Sequence, residues 1–222
     1  MSFVPYFDHI SLGIASLHRA SPFIVQELGA KVNIGGFGVG FRGCDWLFGN
    51  GGKLETIEPW GEADQFLHRF VAKRQDIGGG IHHVNFKVKD IKAARARAEK
   101  LGYTIVGYMD EHPTWKEFFL SPKEALGIVV QFAEVHELGE EEDKVAGSLN
   151  DGNWGKHFDF APYLAGLASE PSVALARRSG GHELHLLGLR MCAPQADQVH
   201  RLWGSLLNGQ CVVKDTTRTY TW

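Results

Sequence analysis

Phe7-Asp8-His9-Ile10-Ser11-Leu12-Gly13-Ile14 and Ile81-His82-His83-Val84-Asn85-Phe86-Lys87-Val88 are the two stretches that decide the fold. Each is a short apolar run interrupted by polar residues, the pattern of a half-buried strand. A helix-like stretch follows the first and ends at Glu27-Leu28-Gly29-Ala30. After the second, Asp90 is placed to cap a helix from Ile91 to Lys100 that stops at Leu101-Gly102-Tyr103. His9 and His83 lie 74 positions apart. Both segments then pass through strand candidates broken by glycine or polar turns. They close on apolar runs that carry an acid or an amide, Lys53-Leu54-Glu55-Thr56-Ile57-Glu58-Pro59 and Gly127-Ile128-Val129-Val130-Gln131-Phe132-Ala133-Glu134. Glu55 to Gln131 is 76 positions, and so is Glu58 to Glu134. The near agreement of these spacings implies two copies of one β-α-β-β-β unit, residues 6–60 and 81–134, within an α+β domain over 1–134.

Between the copies, Gly78-Gly79-Gly80 reads as a flexible joint. Residues 135–182 read as a linker, because the charge cluster from Glu137 to Lys144 runs into a Gly- and Asn-rich stretch from Gly147 to Gly155. Residues 183–222 read as a partial third repeat. Glu183-Leu184-His185-Leu186-Leu187-Gly188-Leu189 is strand-like, and Ala196 to Leu207 is helix-like and ends at Asn208-Gly209. Gly35-Gly36-Phe37-Gly38-Val39-Gly40 lacks the Lys-Ser/Thr of a phosphate loop, so nucleotide binding is not expected there.

With 222 residues and 44% hydrophobic content the chain can fill a core. A formal charge of -3 offers no basic field, which sets nucleic acid aside as a partner. No apolar run approaches the roughly 20 residues of a membrane span. The first five residues lack a basic segment followed by an apolar one, so no membrane partner and a cytoplasmic location are expected. Cys44, Cys192 and Cys211 are odd in number and widely spaced, and are read as reduced thiols without a metal.

Because strands alternate their faces, a residue on the first strand and one on the last strand of a unit can share a side. Two units facing each other would then bring together His9, Glu55, His83 and Gln131. Two imidazole nitrogens, one carboxylate and one amide oxygen suit a single divalent ion among zinc, iron, cobalt, manganese and nickel. One carboxylate leaves such a centre positive, able to polarise a carbonyl or stabilise a developing enolate. His82 points away from His83 on a regular strand and reads as structural or as a support behind the ligands. Glu58 and Glu134 stand at odd offsets from the ligand positions and are expected to face away, solvated or salt-bridged. Phe41, Trp46, Trp115 and Phe119, from the middle strands, are candidates to line a pocket for a bulky apolar or aromatic small molecule.

Asp8-His9-Ile10, Leu54-Glu55-Thr56-Ile57-Glu58-Pro59, His82-His83-Val84 and Gly127-Ile128-Val129-Val130-Gln131 together resemble the vicinal oxygen chelate superfamily. This is the group of glyoxalase I, methylmalonyl-CoA epimerase, fosfomycin resistance proteins and extradiol dioxygenases. The likeness covers residues 6–134 and is strongest to the epimerase, whose segments also hold a doubled histidine and an acidic strand ending in proline. It implies paired repeats forming a curled mixed sheet around a metal, commonly as a homodimer. It also implies a metal-dependent lyase or isomerase acting on a small-molecule substrate. Gln131 departs from the epimerase pattern, which has glutamate there; an amide has no useful basicity, whereas glyoxalase I mixes Gln and Glu ligands. The strands from Val32 to Phe48 show no clear counterpart of the epimerase's acidic residue. The general base is therefore open among Glu117, Glu111, His112 and His82. Two other readings stand beside this one. His9, His83 and Glu55 imitate the facial triad of an iron-dependent extradiol dioxygenase, and antibiotic-binding members of the superfamily bind ligand without metal.

Overall fold

Alternating polarity and glycine punctuation produce the β-α-β-β-β order twice in the computed structural model, which describes residues 3–62, 65–136, 184–193 and 195–222. The first copy runs β1 (Tyr6–Ile14), α1 (Leu17–Pro22, widening into a π turn over Phe23–Glu27), β2 (Lys31–Gly38), β3 (Phe41–Leu47) and β4 (Lys53–Pro59). A short helix α2 (Phe66–Ala72) leads to the second copy, which runs β5 (Gly79–Lys87), α3 (Ile91–Lys100), β6 (Ile105–Met109), β7 (Trp115–Leu120) and β8 (Val129–Val135). Helix α4 (Ala196–Val199, widening over His200–Leu206) and the hairpin β9 (Gln210–Lys214) and β10 (Thr217–Thr221) complete the described chain. No helix among the described residues is long and apolar enough to cross a membrane.

The chain divides into two compact units, and β1 and β5 each contribute half to both. The repeat-one unit holds Ile10 to His82 and the described residues from Leu184 to Gly188. Its strand order is β2-β3-β4-β1-β5, with β2, β3 and β4 antiparallel in sequence. Leu17 and Ile24 of the α1 segment pack with Cys44, Trp46 and Phe48, and Leu186 is packed against that cluster. Leu67 and Val71 of α2 pack on Ile57. Ser16 caps α1 by accepting from the Arg19 amide at 3.3 Å. Buried Glu58 accepts from the Leu17 amide at 2.5 Å and pairs with Arg42.

The repeat-two unit holds the chain up to His9, the described residues from His83 to His136, and those from Leu189 onward. Its order is β1-β5-β8-β7-β6, with β5 parallel to β8 and β7 antiparallel to both β8 and β6. The same helix start recurs. Asp90 accepts from the Ala93 amide at 2.9 Å, and buried Glu134 accepts from the Ile91 amide at 2.6 Å while pairing with Lys116 at 3.1 Å and with His136. Glu58 and Glu134 therefore bind the first free amides of α1 and α3, where a carboxylate also meets the positive end of the helix dipole. Of the two expected alternatives, solvated or salt-bridged, the salt-bridged one holds for both, and their burial against the helix starts is what the alternation did not indicate.

Two further expectations change. Gly79 begins a strand rather than a loose joint; its φ is +137°, and a Cβ there would collide with the Gly13 carbonyl oxygen. Close backbone approach is what demands glycine at this point. The strand-like stretch at 183–189 forms no strand among its described residues, 184–189. Leu186 is instead held by Asn50, whose side-chain amide donates to the Leu186 carbonyl at 3.0 Å. The helix expected from Ala196 to Leu207 is present, and it is fastened to the repeat-two unit. Arg97 donates to the carbonyls of Leu206, at 2.9 Å, and Ser205, while the rings of Trp203 and Trp222 stand 6.0 and 5.1 Å from that of Phe86. The expected linker lies almost wholly outside the described residues.

Candidate metal centre

His9 closes the half of β1 that belongs to the repeat-two unit; it is 7% exposed and meets an equally buried His83 from β5. Their Nε2 atoms are 3.4 Å apart. On its other side His9 Nδ1 lies 2.9 Å from Asp8 Oδ2, and Asp8 Oδ1 is 3.0 Å from Lys87 Nζ. A carboxylate only accepts, so the ring hydrogen of His9 belongs on Nδ1 and Nε2 keeps its lone pair for His83. A metal-binding histidine is held in this way, with its second nitrogen donating to a carboxylate. The spacing fits as well: two bonds of 2.0–2.1 Å at a tetrahedral angle separate nitrogens by about 3.3–3.4 Å. The pair therefore has the donor type, orientation and spacing for a shared cation.

Gln131, on β8, lies in the same unit and is 6% exposed. It stands opposite Asn85 in the parallel β5–β8 register and opposite Phe119 across β7. Its Oε1 accepts from Asn85 Nδ2 at 2.6 Å, and its Nε2 donates to Glu117 Oε2 at 2.7 Å. Trp115 donates its indole N–H to the same Glu117 oxygen at 2.7 Å. Asn85, fully buried and two positions along β5 from His83, did not stand out in the sequence. Its parity with His83 was the available signal.

Glu55 belongs to the repeat-one unit, half-buried on β4 in register with Asp45 of β3. The other face of these strands is core. Trp46 is fully buried there and donates its indole N–H to Thr56 Oγ1 at 2.8 Å, so it is a core residue and not the pocket lining expected of it. Burial, then the charges of Asp45 and Glu55, push the Cys44 thiol far above its usual range and keep it protonated. Phe41 is half-buried beside the Ile57–Leu67–Val71 cluster. Trp115 and Phe119 are half-buried on β7.

The four candidates for a general base are dispersed. Glu117 is engaged by Gln131 and Trp115. Glu111 is exposed between β6 and β7, and in the same loop His112 Nδ1 accepts from the amides of Thr114 and Trp115 at 3.3 and 3.2 Å. His82 packs with the rings of Phe66 and Phe70, with centroids 5.4 and 4.9 Å apart. It lines a cavity of about 260 Å³ together with Arg69, Lys73 and Arg74. Burial, reinforced by Arg74, lowers its pKa to about 4. His82 is thus a neutral ring packed between aromatic neighbours.

Comparison with known proteins converges on one family. A glyoxalase-like domain matches residues 7–207. An ethylmalonyl-CoA/methylmalonyl-CoA epimerase of Cereibacter sphaeroides is 33% identical over 87 residues, which are 37% of this chain and 62% of that protein. The chain thus spans less than two thirds of that relative's length. Among solved structures, a hypothetical protein of Bacillus halodurans superimposes with a TM-score of 0.54 at 26% identity, covering 61% of this chain and 98% of that one. The methylmalonyl-CoA epimerase of Mycobacterium tuberculosis gives 0.53 at 22% identity, covering 64% and 91%. The mixed-sheet α+β fold is common to these structures, and the match over most of its length means that the chain belongs to the glyoxalase-like family of the vicinal oxygen chelate superfamily.

Proposed function

We propose that the protein is a metal-dependent isomerase that moves a proton on the carbon beside a carbonyl of a small molecule, with His9, Glu55, His83 and Gln131 holding one divalent ion. The observation that carries this reading is the histidine pair: the Nε2 atoms of His9 and His83 lie 3.4 Å apart, and Asp8 orients the first imidazole. Two imidazoles, a carboxylate and an amide oxygen do not choose among zinc, iron, cobalt, manganese and nickel. When bound, such an ion supplies Lewis-acid polarisation of a carbonyl oxygen.

The chain's own residues do the rest. Asp8 fixes the His9 tautomer, and Lys87 holds Asp8. Glu55 contributes the single negative charge of the set, so the centre stays electrophilic. Trp115 and Phe119 offer apolar surface on β7 beside Glu117 and Gln131. The names of the relatives favour an isomerase over a lyase and make a 2-substituted malonyl thioester the first substrate to try. A homodimer, common in the superfamily, belongs to the same reading.

The test is solvent exchange. Methylmalonyl-CoA and a panel of small hydroxyketones and keto acids are incubated with the protein in D2O, and deuterium at the carbon beside the carbonyl is followed by NMR. Exchange that stops with a chelator and returns with the ion is expected. Oxygen uptake without exchange would instead point to the dioxygenase class, and exchange indifferent to the chelator would remove the metal from the chemistry.

A further inference from the structure

Trp115, Glu117, Gln131 and Asn85 form a chain of polar side chains within the repeat-two unit, and its direction can be read from chemistry alone. An ionised carboxylate only accepts hydrogen bonds, and an indole N–H only donates. Glu117 Oε2, which takes the Trp115 indole at 2.7 Å, can therefore take only the NH2 of Gln131, also at 2.7 Å. This turns the amide oxygen of Gln131 toward β5, where Asn85 answers with its own NH2 at 2.6 Å. Asn85 stands opposite Gln131 in register, and His83 lies two positions back on the same face of β5. The oxygen of Gln131 is thus aimed at the strand that carries His83.

This direction is kept against a cost. Asn85 Oδ1 is buried and has no hydrogen-bond partner among the described residues, a state that folded proteins seldom tolerate. Flipping both amides would satisfy Asn85 Oδ1 with the NH2 of Gln131, but would set the Gln131 oxygen against the Glu117 carboxylate. The carboxylate decides. An amide NH2 has no lone pair for a cation, so the orientation of Gln131 separates a ligand from a repulsive group.

We infer that Glu117 is a positioning residue: its carboxylate locks the amide of Gln131 so that the oxygen, and not the NH2, is presented as the fourth ligand. The inference rests on the proposed metal centre, and it gives Glu117 a role other than general base. It is tested by calorimetric titration of the chelator-stripped full chain with Co²⁺, comparing wild type, E117Q, Q131A and E117Q/Q131A, with thermal melts confirming that each is folded. E117Q keeps the size of the side chain but offers a donor as well as an acceptor, so the amide direction is no longer imposed. E117Q is expected to bind Co²⁺ about 10–100-fold more weakly, the range for lost partners of metal ligands. The double variant is expected to bind no more weakly than Q131A, and the visible spectrum of bound Co²⁺ should change in E117Q. Wild-type affinity in E117Q would overturn the inference while leaving the metal centre intact, as would a loss that adds to that of Q131A. Absence of Co²⁺ binding by the wild type would overturn the metal centre and this inference with it.

Discussion

At the residue scale, the carboxylate of Glu134 joins the start of α3 to the end of β8. Burial pushes this carboxyl up, but the Ile91 amide, Lys116 and His136 outweigh it and hold the group below the usual carboxylate range. A depressed folded-state pKa means that its stabilisation is complete above the unfolded value, about 4.3 for glutamate, and is lost as pH falls through the folded value. Glu134→Gln should therefore cost stability at neutral pH, about 1–3 kcal/mol for the weakened buried contacts. Urea melts from pH 6 to pH 3 should show a shallower acid decline in the variant than in the wild type; parallel declines would exclude the carboxylate as a source of the acid loss. The pairs Ser16 and Asp90, Arg42 and Lys116, and Glu58 and Glu134 all repeat at the spacing of the histidines or of Glu55 and Gln131. Alternation turns both glutamates away from the ligand positions and leaves solvated or salt-bridged open, because it does not weigh the unpaired helix amides that draw them in.

At the element scale, β5 tolerates no side chain where it begins. Gly79→Ala would combine a disfavoured φ with a collision against the Gly13 carbonyl oxygen. A loss of at least about 1–3 kcal/mol is expected in chemical denaturation, and unchanged stability would restore the flexible-joint reading. Helix α4 was legible because Leu202 and Leu206 recur at helical spacing, and both are fully buried. Leu202→Ala should cost about 2–5 kcal/mol. A change under 0.5 kcal/mol in the same melts would show that this segment does not stabilise the repeat-two unit. The stretch before α4 carried the alternation of a strand, yet a strand needs a partner to complete its hydrogen bonds, and periodicity cannot supply one. Trp46 departs from its expected place for a related reason: the sequence puts it among the middle strands, whereas the face it occupies depends on register with β4, which sets it opposite Leu54.

At the scale of the whole molecule, the two repeats were readable because duplicated spacing, between His9 and His83 and between Glu55 and Gln131, is hard to produce by chance. The support around those residues was not. Asn85 and the direction imposed by Glu117 depend on which strands lie side by side, and His9 falls in the unit of repeat two although it begins repeat one. A native-state ion stabilises by mass action, about 2.7 kcal/mol at a hundredfold excess over its Kd. Melting temperature should rise with added ion in the wild type and stay fixed in a His9→Ala/His83→Ala variant.

The most direct measurement is the metal content of untagged protein by elemental mass spectrometry, wild type beside that double variant, each as purified and after soaking with zinc, iron, cobalt, manganese and nickel. About one equivalent in the wild type and little in the variant is expected. Metal in neither protein, or equal metal in both, would contradict a centre built on His9 and His83.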